Sequence, residues 1–515
     1  MDDGAVRMAS EIPEHGGQTD VPVRTHTVAL VGIATAVMLI HILTNGRYGF
    51  HRDELQVLSD ARHLDWGFVP YPPLTPFVER ISLEIFGLSL VGLRMFSVIA
   101  QGLVILITGL MALELGGGRL AQVTAALSVA LSPVPLFEGT EFQYTTFDNL
   151  WWVLIAYCMI RLLKNDNPRW LLVIGAIVGV GLMTKYTMIF FVAGIVGGLL
   201  LTRARSYVAT WWFWGGIALA VLIFLPNLLW QIRHGFISLH FLQHIHTRDV
   251  AQGRANGFIK DQFLICTNLL AAPLWIAGVI SYLRDKRYRP LAWMYLLPLA
   301  LFLMGKGRGY YLAAAYPMLF AMGAATSERW ISSLSPRWRR TVEAAYFSGI
   351  AVCGMFICAL ILPLASSGPL RDFALSNNGD LREEIGWEDL VKTVSGIRNS
   401  LPPEQRGSVG VLVGNYGEQG AIEMLGRGYQ LPMPISMTNS AWLRGYPEPP
   451  PAKLIVLGSS RNYVERTFTS CQVVGHISNA YGVVNEESRD YPDIFLCDGP
   501  RLPWPEFWKA NQRFG

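Results

Sequence analysis

Residues 48–74 read YGFHRDELQVLSDARHLDWGFVPYPPL and follow the first long apolar segment of the chain. The stretch holds two adjacent acids, Asp53 and Glu54, and closes with the turn Tyr71-Pro72-Pro73. A polar loop between apolar segments, with acids just beyond a helix end, is typical of chemistry at a membrane surface. A structural interpretation is also open, because Asp53 followed by Gln56 fits a capping box that would begin an amphipathic helix carrying Leu55, Leu58 and Leu64.

The composition indicates a membrane protein. Of 515 residues, 51% are hydrophobic and 16% are charged, whereas soluble domains carry about 25% charged residues. The net charge of +4 is small, and the balance predicts no nucleic-acid partner. Residues 1–26 are polar, and we predict a disordered cytoplasmic N-terminus. They lack the apolar core of a cleavable signal peptide, so residues 27–43 are expected to remain as the first anchor.

Apolar segments recur along the first two thirds of the chain. A span needs about 20 apolar residues. The sequence predicts eleven spans, near residues 27–44, 89–113, 120–136, 149–163, 170–184, 187–201, 210–230, 264–283, 291–304, 311–326 and 342–363. The alternative is that residues 170–201 form one broken unit, which would lower the count. Basic residues follow alternate spans, and the positive-inside rule makes those turns cytoplasmic. The loop of Asp53, residues 137–148, 231–263 and 305–310, and the C-terminal tail then face outside.

The composition changes after Pro363. Residues 370–515 contain short β-rich runs, Val409–Val413, Leu454–Leu457 and Ile494–Cys497, and we predict an extracytoplasmic α/β domain there, behind a transmembrane catalytic domain over residues 27–363. The glycine-rich run 414–420 follows a strand without matching GxGxxG, so it only weakly indicates nucleotide binding. Cys471 and Cys497 would pair if this part faces an oxidising compartment.

Several polar side chains meet on the predicted outer side, in four groups: Asp53 and Glu54; Glu138, Glu141 and Asp148; Lys185 with Lys306, Arg308, Tyr310 and Tyr311; and His240, His244, His246 and Arg248. Ionisable groups near membrane depth are costly and indicate function. Several of these residues also have an ordinary structural explanation. Asp148 would cap a helix starting at Asn149, and Lys185 would extend its ammonium group to the membrane–water interface. Lys306 and Arg308 would be juxtamembrane charges, the tyrosines would join an aromatic belt, and the histidines would lie in a solvated loop.

Acids and cations on one face suit glycosyl transfer from a lipid phosphate. A carboxylate would remove the proton of an acceptor hydroxyl as that oxygen attacks the anomeric carbon. Lysine and arginine would hold the departing phosphate and stabilise its charge. Apolar spans beside the site would accommodate the prenyl tail.

A family resemblance rests on HRDEL, YPPL, ELGGGRLAQ, FDNLWW, GLMTKYTM, FLPNLLWQIRHG and NYGEQGAIEMLGRGYQLP. In order and spacing these resemble bacterial GT-C glycosyltransferases of the family 39/PMT-like group, which is related to protein O-mannosyltransferases and lipid A aminoarabinose transferases. The resemblance implies a polyprenyl-phosphate sugar donor, inversion at the anomeric carbon, and a polytopic helical GT-C fold in the bacterial inner membrane with its site on the periplasmic side.

The resemblance also implies roles for individual residues. Asp53 matches the catalytic base, with Glu54 beside it, and Asp148 matches a second acid. Lys185 matches the lysine that approaches the donor phosphate, and a looser match assigns phosphate binding to Lys306, Arg308 and Tyr311. Further candidates for contacting substrate are His51, Tyr71, Glu141 and His244.

One position departs from the family pattern. Some aminoarabinose transferases carry a metal-binding carboxylate just before the proline turn, where this chain has Tyr71. His244 and Glu79 would be substitutes for that carboxylate, but the sequence does not support a metal site built on them, and we predict no metal and no cofactor.

The first hypothesis is therefore a membrane glycosyltransferase that moves a sugar from a polyprenyl phosphate to lipid A, a cell-envelope glycan or a protein. The alternative is a multi-pass transporter or lipid flippase, whose charges would lie near mid-membrane and on both faces. A third hypothesis, a catalytically silent envelope-assembly protein, predicts that Asp53→Ala has no phenotype.

Overall fold

The computed structural model describes residues 25–515. The prediction for the N-terminal segment therefore lies almost entirely outside the described residues. The structure is mainly helical, with one small sheet in the C-terminal part.

The first part of the chain is a stack of helices. In chain order they are α1 (Thr27–Thr44), α2 (Arg52–Arg62), α3 (Leu74–Phe86), α4 (Leu90–Leu93), α5 (Met95–Glu114), α6 (Arg119–Ala130), α7 (Pro133–Glu138), α8 (Tyr144–Asn165), α9 (Trp170–Leu182), α10 (Met188–Leu200), α11 (Trp211–Arg233), α12 (Ile237–Ala251), α13 (Phe258–Leu264), α14 (Ala272–Arg284), α15 (Arg289–Met304), α16 (Tyr316–Ser332) and α17 (Pro336–Ile361). Short 3₁₀ helices cover Arg203–Ala209, Leu269–Ala271 and Gly309–Ala315.

Within residues 25–515, five helical segments are long and apolar enough to cross a membrane: α1, α4 with α5, α8, α11 and α17. Two further pairs qualify if each bent pair is one span; the bends are 107° after α10 and 94° after α13. Helices α9 and α15 are apolar but shorter. The structure thus supports five to seven spans, and the count of eleven stays a prediction.

Glycines allow several of these helices to pack closely. A Cβ on Gly175 of α9 would lie 2.2 Å from the carbonyl oxygen of Gly216 on α11. A Cβ on Gly323 of α16 would lie 1.9 Å from the carbonyl oxygen of Leu274 on α14. Helices in a membrane associate through small residues that let backbones approach, so these positions set the two helix pairs.

The C-terminal part surrounds a five-stranded sheet. Its strands are β1 (Val409–Val413), β2 (Ile435–Ser436), β3 (Lys453–Val456), β4 (Cys471–His476) and β5 (Asp493–Asp498), in the order β2-β1-β3-β5-β4. Strand β1 is parallel to β2 and β3, whereas β5 is antiparallel to β3 and β4. The run VGVLV of β1 is buried at every position, as expected of a strand covered on both faces.

The helices of this part are α18 (Pro369–Asn377), α19 (Gly379–Glu383), α20 (Trp387–Ser400), α21 (Pro403–Arg406), α22 (Tyr416–Leu425), α23 (Ser440–Leu443), α24 (Arg461–Thr467), α25 (Glu486–Asp490) and α26 (Trp504–Ala510), with a 3₁₀ turn at Gly426–Tyr429. Cys471 and Cys497 lie opposite each other on β4 and β5 and form a disulfide. The predicted small sheet is present, and the division of the chain into domains stays a prediction.

Helix α2 joins the two parts of the chain. Its Leu55 and Leu58 are fully buried in a core with Trp387, Val391 and Val411. A Cβ on Gly420 of α22 would lie 2.2 Å from the carbonyl oxygen of Leu55, so only glycine permits this contact. The amphipathic helix predicted around Asp53 therefore directs Leu55 and Leu58 into the C-terminal part. The prediction was wrong for Leu64, which lies beyond the end of α2 and is exposed.

Candidate active site

A cavity of about 840 Å³ lies between the helical part and the C-terminal part. Its walls come from the N-terminus of α2, the start of α8, the turn between α9 and α10, helix α12, the segment after α15 and the N-terminus of α22. Seven of the eleven residues to which the sequence assigned a catalytic or binding role line it: His51, Asp53, Tyr71, Lys185, Lys306, Arg308 and Tyr311. His246, Arg248 and Tyr310 of the predicted outer side line it as well. Its volume fits the range of small-molecule sites, about 300–1,000 Å³.

Asp53 lies in the first turn of α2, but it does not cap the helix. The cap is His51: its ring accepts a hydrogen bond from the Asp53 amide at 3.3 Å, and the Glu54 carboxylate accepts one from the His51 amide at 2.8 Å. The interpretation of Asp53 and Gln56 as a capping box is therefore wrong. The half-buried Asp53 side chain instead lines the cavity, where the Tyr416 hydroxyl donates to its Oδ1 at 2.9 Å.

Glu54 has different surroundings from its neighbour. It is buried, and Arg94 donates to its two carboxylate oxygens at 2.8 and 2.7 Å. The Phe142 amide also donates to Glu54 Oε1 at 2.8 Å. Because Arg94 further contacts Glu384 at 3.3 Å, this cluster ties α2, α5 and the C-terminal part together. The geometry favours a structural role for Glu54, and it does not line the cavity.

Asp148 is buried in α8 and does not cap that helix, which begins four residues earlier with Gln143 as its N-cap. Trp152 donates to Asp148 Oδ1 at 3.2 Å, and Thr187 donates to Oδ2 at 3.4 Å. The Lys185 ammonium lies 3.8 Å from the same Oδ2. Asp148 is absent from the cavity wall, so it supports the lysine from behind.

Lys185 itself faces the cavity in a group of aromatic rings. Its Nζ lies 5.3 Å from the ring centre of Tyr144 and 4.9 Å from that of Tyr311. Ring faces attract an ammonium group, and the attraction grows when both are removed from water. The lysine is thus held at the wall by rings and by one carboxylate, with its charge available to an anion.

A second group of cations surrounds one buried carboxylate. Both Nε and an Nη of Arg308 lie 2.6 Å from Asp249 Oδ2, and Arg248 and Arg254 each lie 3.6 Å from Asp249 Oδ1. These three arginines, Lys306 and Lys185 line the same cavity. A single acid therefore orders three guanidinium groups and leaves an excess of positive charge on this wall.

The remaining candidates have mixed positions. His51 lies 3.4 Å from Glu141, which is buried off the cavity wall, and burial raises the pKa of Glu141 well above its usual value. Tyr71 lines the cavity and donates to Asp60 Oδ2 at 2.8 Å. His244 stands 5.9 Å from the ring centre of Phe514 and is not part of the wall.

Sequence patterns missed several residues of the cavity. Tyr416 and Gln143 contact Asp53, with the Gln143 amide donating to its Oδ2 at 3.5 Å. Asp249 organises the arginines, although only its neighbour Arg248 drew attention in the sequence. Tyr416 lies within the glycine-rich run that weakly indicated nucleotide binding and within the motif NYGEQGAIEMLGRGYQLP that contributed to the resemblance, but neither pattern indicated a contact with Asp53.

Among residues 25–515, no group of three or more His, Cys, Asp or Glu side chains is arranged to hold a metal ion. Glu79 is fully buried, and burial raises the pKa of its carboxyl well above the usual value. Neither Glu79 nor His244 lines the cavity, so the two substitutes weighed for the missing carboxylate are not brought together there.

Known proteins resemble this chain in sequence. A family model described as dolichyl-phosphate-mannose-protein mannosyltransferase matches residues 70–230. The lipid A galacturonosyltransferase RgtD of Rhizobium johnstonii is 26% identical over 258 residues, 48% of this chain and 53% of that protein. The undecaprenyl phosphate-alpha-4-amino-4-deoxy-L-arabinose arabinosyl transferase 1 of Pseudomonas fluorescens is 26% identical over 307 residues, 50% of this chain and 48% of that protein. The match thus spans about half the length of these curated relatives.

Solved structures resemble it over nearly its whole length. ArnT from Cupriavidus metallidurans bound to undecaprenyl phosphate superposes with a TM-score of 0.57 at 14% identity, covering 93% of this chain and 100% of that chain. The arabinofuranosyltransferase AftD from Mycobacteria gives a TM-score of 0.52 at 14% identity, covering 93% and 40%. The resemblance inferred from the sequence is confirmed, and the fold is similar to those of ArnT and AftD.

Proposed function

We propose that this chain is a membrane glycosyltransferase that moves a sugar from a polyprenyl phosphate to an acceptor on the outer face of the bacterial inner membrane. The observation that carries the proposal is the cavity itself. It has Asp53 on one wall and Lys185, Lys306 and Arg308 on another. A base and a set of phosphate ligands around one space are the two requirements of this chemistry.

The cationic wall would bind the donor phosphate. Arg308 presents a guanidinium already oriented by Asp249, and Lys185 adds a point charge. As the bond from the anomeric carbon to the phosphate oxygen breaks, negative charge grows on that oxygen, and fixed cations stabilise it without a proton donor. Fixed groups are effective because they need no reorganisation during the reaction.

Asp53 would act on the acceptor. The acceptor oxygen forms its bond to the anomeric carbon while its proton moves to Asp53, and the sugar inverts as in the family that the chain resembles. Tyr416 holds Oδ1 at 2.9 Å, whereas Gln143 reaches Oδ2 only at 3.5 Å, so Oδ2 is the more available oxygen. If the acceptor hydroxyl belongs to a phosphate, it is already ionised, and Asp53 would orient it.

An apolar side of the cavity suits a prenyl chain. The wall beside Lys185 includes Ile189, Phe190, Leu239, Leu242, Leu301 and Phe302. Burial of a hydrocarbon chain against such side chains is favourable. The apolar side and the cations lie together, as the tail and head of one lipid phosphate require.

The orientation and the acceptor are further parts of the proposal. The disulfide between Cys471 and Cys497 supports an oxidising, extracytoplasmic environment for the C-terminal part. Lipid A, a cell-envelope glycan and a protein remain the acceptor classes, and the name of the Rhizobium relative favours lipid A. The relatives named above are transferases, and none supports the transporter or flippase alternative.

Native mass spectrometry of the detergent-purified protein tests the donor class. The wild type should retain undecaprenyl phosphate or its glycosylated form, and Lys185→Ala with Arg308→Ala should lose it. Lys286→Ala with Arg340→Ala is the matched control, because it removes the same two charges from exposed positions. Equal retention of bulk phospholipid alone in all three proteins would contradict the proposal.

A further inference from the structure

A second space, a crevice of about 310 Å³, opens at the carboxyl ends of β1 and β3. Strand β1 has β2 on one side and β3 on the other, and all three are parallel. After β1 the chain adds β2 on one side and then β3 on the other, so the strand order reverses between β1 and β3. In sheets with parallel strands, ligands bind in the crevice at such a switch point. Gly414 follows β1 there, and Gly458 follows β3 with a φ of +57°.

Two buried carboxyl groups line this crevice with unused oxygens. Glu418 is fully buried and Glu487 is 4% exposed. Among the described residues, neither Glu418 Oε1 nor Glu487 Oε2 has a hydrogen-bond partner. Leaving a buried polar atom unpaired is costly, so these two oxygens indicate a ligand that donates hydrogen bonds.

The crevice does not suit a phosphate. The Gly414 amide, at the place where a phosphate would bind, already donates to Glu418 Oε2 at 2.8 Å. The wall has Glu486, Glu487 and Asp490 beside Glu418, with Arg513 as its base. Arg52 pairs with Glu486 and Glu487, and Arg489 pairs with Asp490, so the wall carries no excess of positive charge for a phosphate. Burial raises the pKa of Glu418 to about 8, so its carboxyl can both donate and accept at neutral pH. These features favour an uncharged, hydroxyl-rich group.

The crevice adjoins the candidate active site. Gly414, Asn415, Glu486 and Arg513 line both spaces. Tyr416, the next residue after Asn415, donates to Asp53. A glycan in the crevice would therefore extend toward the carboxylate that acts on the acceptor hydroxyl.

The buried Ser459 also lines the crevice. We propose that the crevice between β1 and β3 is an acceptor subsite that binds an uncharged sugar unit through Glu418, Glu487 and the Ser459 hydroxyl. This inference rests on the proposed glycosyltransferase function and adds the acceptor class to it. The crevice holds a sugar residue adjacent to the one that receives the transferred sugar. It excludes phosphorylated units.

Titration of methyl glucoside into the detergent-purified full-length protein, followed by saturation-transfer NMR, tests the subsite. Wild type should bind saturably, and Glu418→Gln and Ser459→Ala should each weaken binding by about tenfold, as expected when a hydrogen bond to a buried group is lost. Glu404→Gln is the matched control, because this acid is exposed and remote from the crevice. Glucose 6-phosphate should bind at least about tenfold more weakly than the glucoside.

Absence of saturable binding to wild type, equal binding of the phosphorylated sugar, or unchanged binding in both variants would overturn the subsite. Binding of Ca²⁺ in place of the sugar, abolished by Glu418→Gln, would overturn it as well. The titration needs no lipid donor. If the protein binds methyl glucoside but retains no donor lipid, the glycosyltransferase proposal is wrong. If it retains the donor lipid but does not bind methyl glucoside, the subsite proposal is wrong.

Discussion

The cationic wall and the crevice are both built around buried carboxyl groups, but they treat them in opposite ways. Asp249 is surrounded by three arginines, so its charge is used to order cations. Both oxygens of Asp249 face arginines, whereas Glu418 Oε1 and Glu487 Oε2 have no hydrogen-bond partner within residues 25–515. The surroundings of a buried acid decide its use: beside arginines it orders cations, and beside an open crevice it is free to accept hydrogen bonds from a ligand.

The largest effect is expected at Asp53, the only acid of the 53–54 pair that faces the cavity. Asp53→Asn keeps the shape but removes the base, so kcat should fall by about 10²–10⁴-fold. Undecaprenyl phosphate affinity should stay nearly unchanged, because the cations bind the donor. Transfer kinetics and native mass spectrometry on the same preparation measure the two quantities, and an equal loss of donor binding and activity would refute the base assignment.

The buried pair of Arg94 and Glu54 is expected to stabilise the fold. Arg94→Met leaves Glu54 and Glu384 without their guanidinium, and losing one partner of a buried pair costs about 3–5 kcal/mol. Thermal unfolding in detergent should show a marked loss of stability for Arg94→Met. Arg94→Met combined with Glu54→Gln should recover part of it, and a double variant no more stable than the single one would contradict the pairing.

Asp249→Asn tests the ordering of cations directly. Without the full charge of Asp249, Arg308 loses its charged partner, and donor affinity should weaken by about tenfold. Methyl glucoside binding should not change, because the crevice is separate. Asp372→Asn, at an exposed acid paired with Arg371, serves as the matched control. Stronger donor binding in Asp249→Asn would show that the acid merely opposes the phosphate.

The smallest effect concerns pH. Burial, with the nearby charge of Glu487, raises the pKa of Glu383 to about 7. The folded state therefore holds this proton more tightly than the unfolded state, and stability should fall as pH rises from about 5 to about 8. Between about pH 5 and about pH 8 the thermal unfolding midpoint of Glu383→Gln should fall by a few degrees less than that of wild type. An identical dependence of the midpoint on pH in the two proteins would refute the raised pKa of Glu383.

Local pattern and resemblance predicted part of this molecule. Asp53, Lys185 and Arg308 were found because ionisable groups beside apolar segments are unusual, and all three line the cavity. The role of Tyr416 could not be predicted, because its contact with Asp53 joins residues far apart in the chain and follows no periodicity. Local pattern alone does not distinguish Asp53 from Glu54. The resemblance assigned the base to Asp53, and the fold turns Asp53 toward the cavity and Glu54 toward Arg94.

The helix count was also difficult to predict for a physical reason. Hydropathy measures the apolar content of a segment and not its direction. The segment after α10 turns by 107° and that after α13 by 94°, so an apolar run there does not correspond to one straight crossing. Helices α9 and α15 are apolar enough but short.

The contact between Gly420 and Leu55 has a consequence for chimaeras between this chain and its relatives. The C-terminal part is completed by leucines that belong, in sequence, to the first loop. A graft of residues 370–515 alone would lack Leu55 and Leu58 and would expose the apolar core that these leucines fill. The recipient's own helix would also have to pack closely against Gly420. A chimaera meant to exchange acceptor preference therefore needs two separate segments: residues 50–64 must be transferred together with the C-terminal part.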